Sequence, residues 1–165
     1  MLNRESNSVI IDLKPNWSEL DKISDILEKF LNEPSFHRDD FDALKMVVTE
    51  LVENGIKYGY FPTPESTFQL SLRKKRDRIV VEVKNQIKDS ELEHLRRLDA
   101  KIQWIRGYQN PFEAYVEKLK EISNKTLAEG ESGLGLVRIA YEGQSILDFY
   151  VNENNLLAVS AVYQY

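Results

Sequence analysis

Hydrophobic and polar residues alternate at Val9, Ile11 and Leu13, the period-two signature of a short strand with one buried face. The period then lengthens. Leu20, Ile23, Leu27 and Phe30 recur at helical spacing behind a capping-box pattern of Asn16 and Glu19, so a helix is expected there. After Pro34, the acids Asp39, Asp40 and Asp42 stand where a helix dipole favours negative charge, and they predict a second helix running to about Gly59. Alternation returns at Phe68, Leu70 and Leu72 and again at Ile79, Val81 and Val83. The charged run Lys74-Lys75-Arg76-Asp77-Arg78 between these segments reads as a solvated hairpin turn.

The middle of the chain changes character. Ser90 and Glu93 cap a stretch with Leu92, Leu95, Leu98, Ile102 and Ile105 on one helical face. Asn110-Pro111 starts another, with Phe112, Val116, Leu119 and Ile122 as its apolar stripe. The polar, glycine-containing stretch 124–133 precedes a short helix from Leu134 to about Tyr141, which Gly143 is suited to end. Two β-rich runs, 146–151 and 156–163, close the chain through the turn Asn152-Glu153-Asn154-Asn155. Strands grouped in hairpins with helices collected elsewhere predict an α+β fold, a two-layer sandwich in which helices cover one face of a mixed sheet. Residues 90–128 are expected as a helical insert that packs on the domain or serves as a partner surface or mobile lid, and not as part of the central core.

Length and charge narrow this picture. At roughly 150 residues per domain, 165 residues predict a single domain spanning 1–165. The absence of cysteine removes disulfides, thiolate zinc sites and a cysteine nucleophile, and it fits a reducing compartment, so a cytoplasmic location is expected. The formal net charge of -5 argues against nucleic acid as a partner. No apolar run approaches the ~20 residues of a membrane span, and the first eight residues do not resemble a signal peptide. His37 and His94 lack neighbours at ligand spacing. Trp17 and Trp104 are expected in the core or at helix contacts.

The candidate chemistry lies on the second helix. On a wheel of about 100° per residue, Asn54 falls about 40° to one side of Glu50 and Lys57 about 20° to the other. The residues Phe41, Leu44, Val48, Leu51, Val52 and Gly55 share a separate, apolar face. One side of the helix is therefore buried, while another presents a carboxylate, an amide and an ammonium together. The glycine-rich element Gly130-Glu131-Ser132-Gly133-Leu134-Gly135-Leu136 leads straight into a helix, where backbone N–H groups can approach phosphate oxygens.

At these residues the sequence resembles the GHKL superfamily of ATP-binding proteins, the histidine kinase and HSP90-like ATPase fold. Glu50-Leu-Val-Glu-Asn54-Gly-Ile-Lys57-Tyr-Gly59 is similar to its asparagine box, and Gly133-Leu134-Gly135-Leu136 to the end of its second glycine box. In size the chain is similar to the stand-alone anti-sigma-factor-type serine/threonine kinases of bacterial partner switching. The resemblance implies ATP and Mg²⁺ as cofactors, Glu50 as general base, and Asn54 as the Mg²⁺ ligand. It also implies Lys57 as a phosphate neighbour, and a regulatory protein partner, anti-anti-sigma-like or sigma-factor-like, with a homodimer an open possibility. Residues 90–128 would then occupy the lid position. The first glycine box, D-x-G-x-G in the family, reads Asn85-Gln86-Ile87-Lys88-Asp89 here, placing Asn85 at the adenine-reading position. Glu131 stands at the first glycine of the second box. Two functions follow as expectations: an ATP-dependent regulatory kinase, or a non-catalytic interaction module that keeps the fold without effective nucleotide binding.

Overall fold

A computed structural model describes residues 7–124 and 133–165. Strand β1 (Ser8–Leu13) leads through a 3-10 turn (Trp17–Lys22) into helix α1 (Ile23–Phe30), followed by the long helix α2 (Arg38–Tyr58). Strands β2 (Phe68–Lys74) and β3 (Arg78–Gln86) form a hairpin. Helices α3 (Leu92–Arg106), α4 (Pro111–Ser123) and α5 (Leu134–Tyr141) come next, and the hairpin of β4 (Ser145–Val151) and β5 (Leu156–Gln164) ends the chain.

The five strands lie in the order β1-β2-β3-β5-β4, and every pairing is antiparallel. The expected α+β architecture is present, but the mixed sheet is not. Tight turns force opposite directions within both hairpins, as where the Lys75 N–H donates to the Arg78 carbonyl at 2.8 Å. Strand β5 against β3 repeats that direction, which leaves no parallel pair among the described residues. Across the sheet, Val9, Leu72, Val81, Ala161 and Leu147 align on one face. The neighbouring register, Ile10, Ser71, Glu82, Ser160 and Asp148, turns the other way and is mostly polar. Glu82, in the middle of that polar face, is balanced by Lys84 at 3.1 Å and Arg73 at 3.7 Å. The helices cover the apolar face, and on the other face Ile10 and Ile146 stay exposed among the polar residues.

Helix α2 is the central helix of that layer. Leu44, Val47, Val48, Leu51 and Val52 are buried along one side, each worth about 1.5–3 kcal/mol in removed apolar surface. Its start is fixed by Asp40, whose Oδ2 accepts the His37 N–H at 2.8 Å. Only half of the capping box expected at Asn16 forms. Asn16 Oδ1 accepts from the Ser18 N–H at 3.0 Å, whereas Glu19 pairs with Lys22 at 2.9 Å. A 3-10 turn results, and α1 starts only at Ile23.

The segment between β3 and β4 departs from the expected pattern in two ways. Leu98, Ile102 and Ile105 of α3 join the same buried cluster as the sheet and α2, so α3 is part of the core as well as a cover. In α4 the apolar stripe is misassigned: Phe112 and Leu119 are exposed, while Ala114 is buried. The small Ala114 lets α4 settle against its neighbours, and Phe112 instead leans on the Tyr141 ring of α5 at 5.1 Å. Trp17 and Trp104 are not core residues. They lie partly in solvent, Trp104 edge-on to Tyr108 at 5.0 Å. Among the described residues, no helix is long and apolar enough to cross a membrane. Gly130 and Glu131 lie outside the described residues.

Candidate nucleotide site

The polar side of α2 faces a cleft of about 360 Å³ bounded by α2, α3, the end of β3 and the start of α5. All eight site residues expected from the sequence line it. Glu50, Asn54 and Lys57 come from one face of α2, as the helical period requires. The element Gly133–Leu136 enters from the opposite side, and Asn85 closes the far end from β3. Leu51, Val83, Leu98 and Leu157 supply an apolar floor.

Glu50 is the most constrained of these groups. Its side chain is only 15% exposed, and Oε1 accepts a hydrogen bond from Arg138 Nη1 at 2.7 Å. Burial pushes the Glu50 carboxyl above the ordinary carboxylate range. The Arg138 and Lys57 charges pull it back, and Glu53 and Glu142 add to the rise. A Cβ on Gly135 would collide with Glu50 Oε2, so the glycine is what admits the carboxylate against α5. Gly133, immediately before α5, has φ +63, a left-handed turn that glycine adopts without strain. A Cβ there would lie 3.4 Å from both Lys101 Nζ of α3 and Lys118 Nζ of α4. Two cations from different helices thus converge on the N-terminus of α5, where the helix dipole adds positive potential of its own. Lys118 is also paired with Glu121 at 2.9 Å.

Lys57 stands near the mouth of the cleft, 3.9 Å from Glu53 Oε2 and 6.0 Å from the centre of the Trp17 ring. Next to it Tyr58 stacks on His94 of α3, ring centres 4.3 Å apart at 22°. Among the described residues, no group of three His, Cys, Asp or Glu side chains could hold a metal alone. The donor set does fit Mg²⁺, which commonly takes one or two protein oxygens and completes its shell with phosphate and water. Asn54 provides such an oxygen.

The end of the cleft at β3 is built differently. Asn85 is 4% exposed, and its Nδ2 donates to the Gln86 carbonyl at 3.3 Å. Ile87, where the resembled family has a glycine, is buried in the core, and its N–H donates to the Asn155 carbonyl at 2.9 Å. Asp89, at the second glycine position, accepts from the Asn155 side chain. The backbone of residue 87 and the side chain of Asp89 thus tie this loop to the β4–β5 turn.

Sequence reasoning missed Arg138, Lys101 and His94, which also line the cleft. A weak signal existed for the first, since Arg138 lies within one turn of Gly135. For α3, reading only its apolar stripe hid the polar edge formed by His94, Arg97 and Lys101.

The comparisons agree with this geometry. No curated protein matches the sequence. Among solved structures, a chain from the crystal structure of the SiaB–SiaC complex of Pseudomonas aeruginosa superposes with a TM-score of 0.69 and 21% identity. The match covers 93% of this chain and 88% of that one, and at this identity it speaks for the fold. The profile of the histidine kinase-like ATPase domain matches residues 13–142, which contain α2, β3, α3 and the whole second glycine element. With the cleft assembled from those same elements, the chain belongs to the histidine kinase-like ATPase family.

Proposed function

We propose that the protein is an ATP- and Mg²⁺-dependent regulator that phosphorylates a serine or threonine of a partner protein, in the manner of anti-sigma-factor-type kinases. One observation carries this reading: a half-buried carboxylate, an amide side chain and several cations line one cleft at the N-terminus of α5. Triphosphate is the ligand class that needs such a positive end, and the apolar floor suits a base and ribose. Bound Mg²⁺ would neutralise charge on the phosphate tail. Glu50 accepts the proton of the partner's hydroxyl as its oxygen bonds to the terminal phosphorus and the bond to the nucleoside diphosphate breaks. Asn54 holds the metal, and Lys57 and Lys101 balance phosphate charge. A neighbour solved as a complex of two proteins, SiaB with SiaC, supports a protein as the acceptor's carrier.

A second reading keeps the fold as a non-catalytic interaction module, and the burial of Ile87 at the base end favours it. A thermal melt with and without Mg²⁺-ATP separates the two. Ligand at 100 times its Kd raises stability by about 2.7 kcal/mol, a shift of several degrees. The proposed function requires that shift, and no shift at millimolar Mg²⁺-ATP leaves the module reading.

A further inference from the structure

We propose that Arg138 is a positioning residue for Glu50, holding one carboxylate oxygen so that the other is fixed at the α5 wall of the cleft in the orientation needed to take a proton. The inference rests on the reading of Glu50 as the base, and it adds a residue to which no role has been assigned. Three features of the geometry converge on it. Arg138 Nη1 reaches Glu50 Oε1 at 2.7 Å, the length of a charge-assisted hydrogen bond. The space that Gly135 leaves is occupied by Oε2, so with Oε1 on Arg138 the other oxygen lies against the start of α5. Arg138 is itself tethered, its Nε donating to Glu142 Oε2 at 3.2 Å, four residues on and just past the end of α5. A guanidinium fork can serve both carboxylates at once, which a lysine ammonium does with less geometric control.

Without this contact Glu50 would have little to hold it. On its own helix the facing charges are Glu53 and Lys57, of which Lys57 is drawn towards Glu53 at 3.9 Å. From α5 comes Arg138, with Glu142 just past the end of that helix, and from α3 His94, Arg97 and Lys101 line the same cleft as Arg138. A base swinging between these cations would sample many orientations, and misplacement of a reacting group by about 1 Å can cost about 10²-fold in rate.

The test uses the full chain and the variants Arg138→Met and Arg138→Lys. With the protein ¹³C-labelled at glutamate carboxyls, the Glu50 resonance is identified by its loss in Glu50→Gln. At neutral pH and without nucleotide, that resonance should move in Arg138→Met and return part of the way in Arg138→Lys. In parallel, Mg²⁺-ATP turnover in Arg138→Met should fall about 10²-fold in kcat with KM for ATP unchanged within about twofold. Arg138→Lys should recover about tenfold of that loss through its retained charge. An unmoved Glu50 resonance in Arg138→Met overturns the proposal whatever the activity, as does a moved resonance with unchanged kcat. A wild type that shows the resonance shift on substitution but neither binds nor turns over Mg²⁺-ATP overturns the base reading itself, and the catalytic purpose of the tether with it.

Discussion

The two ends of the cleft have been built by opposite means. At the end proposed to hold phosphate, charged side chains line the cleft, and glycines clear space for them: Gly135 admits the Glu50 carboxylate, and Gly133 makes the turn on which Lys101 and Lys118 converge. At the base end, the family's glycine positions carry side chains that serve the fold, Ile87 in the core and Asp89 bonded to Asn155. One end of the cleft therefore spends its side chains on charge and the other on packing and on the β4–β5 turn.

The largest expected effect is at the phosphate end. Glu50→Gln should reduce phosphoryl transfer or ATP hydrolysis by about 10²–10⁴-fold, because the amide fills the same space but cannot accept the proton. Calorimetry should find Mg²⁺-ATP binding nearly unchanged, and equal turnover by the two proteins would end the assignment of Glu50 as base. The same variant carries a pH signature. The Glu50 carboxyl is raised above its usual 4.5 by burial, so the folded state favours its protonated form. The wild type then loses stability as pH rises from below 4.5 through the folded value, and a glutamine does not. Glu50→Gln should thus melt higher than wild type by more at pH 7 than at pH 4.

At the base end the corresponding substitution should act on stability and leave the rate alone. Ile87→Ala removes buried methyl groups and should cost about 2–5 kcal/mol, visible in urea unfolding. Turnover per folded molecule should stay near that of wild type. A variant that unfolds no more easily would mean that Ile87 is not the core element its burial indicates.

Next in size is Asn54→Ala. Loss of the single amide oxygen offered to Mg²⁺ should weaken ATP binding about tenfold, or 1.4 kcal/mol, in the presence of the metal and hardly at all with the metal chelated. An equal loss in both conditions would assign Asn54 to the nucleotide and not to the ion.

The same division governs what the sequence discloses. The stripe of Glu50, Asn54 and Lys57 was legible because helical periodicity puts those residues on one face whatever the tertiary structure. The strands were legible because their alternation matches a sheet with one buried face. The α4 stripe failed because its apolar residues also sit at helical spacing, and only the packing of neighbouring helices decides that Ala114 goes inward and Phe112 outward. The Glu50–Arg138 pair spans 88 residues and leaves no local pattern. The mixed sheet was expected from grouping alone, since the direction of β5 against β3 is set by how the chain returns after three helices. Long-range pairing was the missing information in each case.

The smallest expected effect concerns Asn85, the one buried polar side chain at the base end. A carboxylate accepts an adenine amino proton through a charge-assisted bond worth roughly 1.5–3 kcal/mol, against about 0.5–1.5 for a neutral amide. Asn85→Asp should thus tighten ATP by about 1 kcal/mol, several-fold in Kd, and leave GTP unimproved, since guanine presents a carbonyl where adenine presents its amino group. The wild type, whose amide can offer either donor or acceptor, should bind ATP weakly with modest preference over GTP. Without nucleotide the substitution should be unfavourable. Asn85 Nδ2 now donates to the Gln86 carbonyl at 3.3 Å, and a carboxylate there would face that oxygen with no donor to give it. Its pKa would be raised by burial, so the variant's stability should fall as pH rises through that value. Added Mg²⁺-ATP should restore part of the loss. Calorimetric titration of both proteins with both nucleotides, beside melts at pH 4 and pH 7, reads all of these effects. Tight, adenine-selective binding by the wild type that Asn85→Asp fails to improve would show that another residue reads the base, and the contrast between the two ends would then be one of position and not of loss.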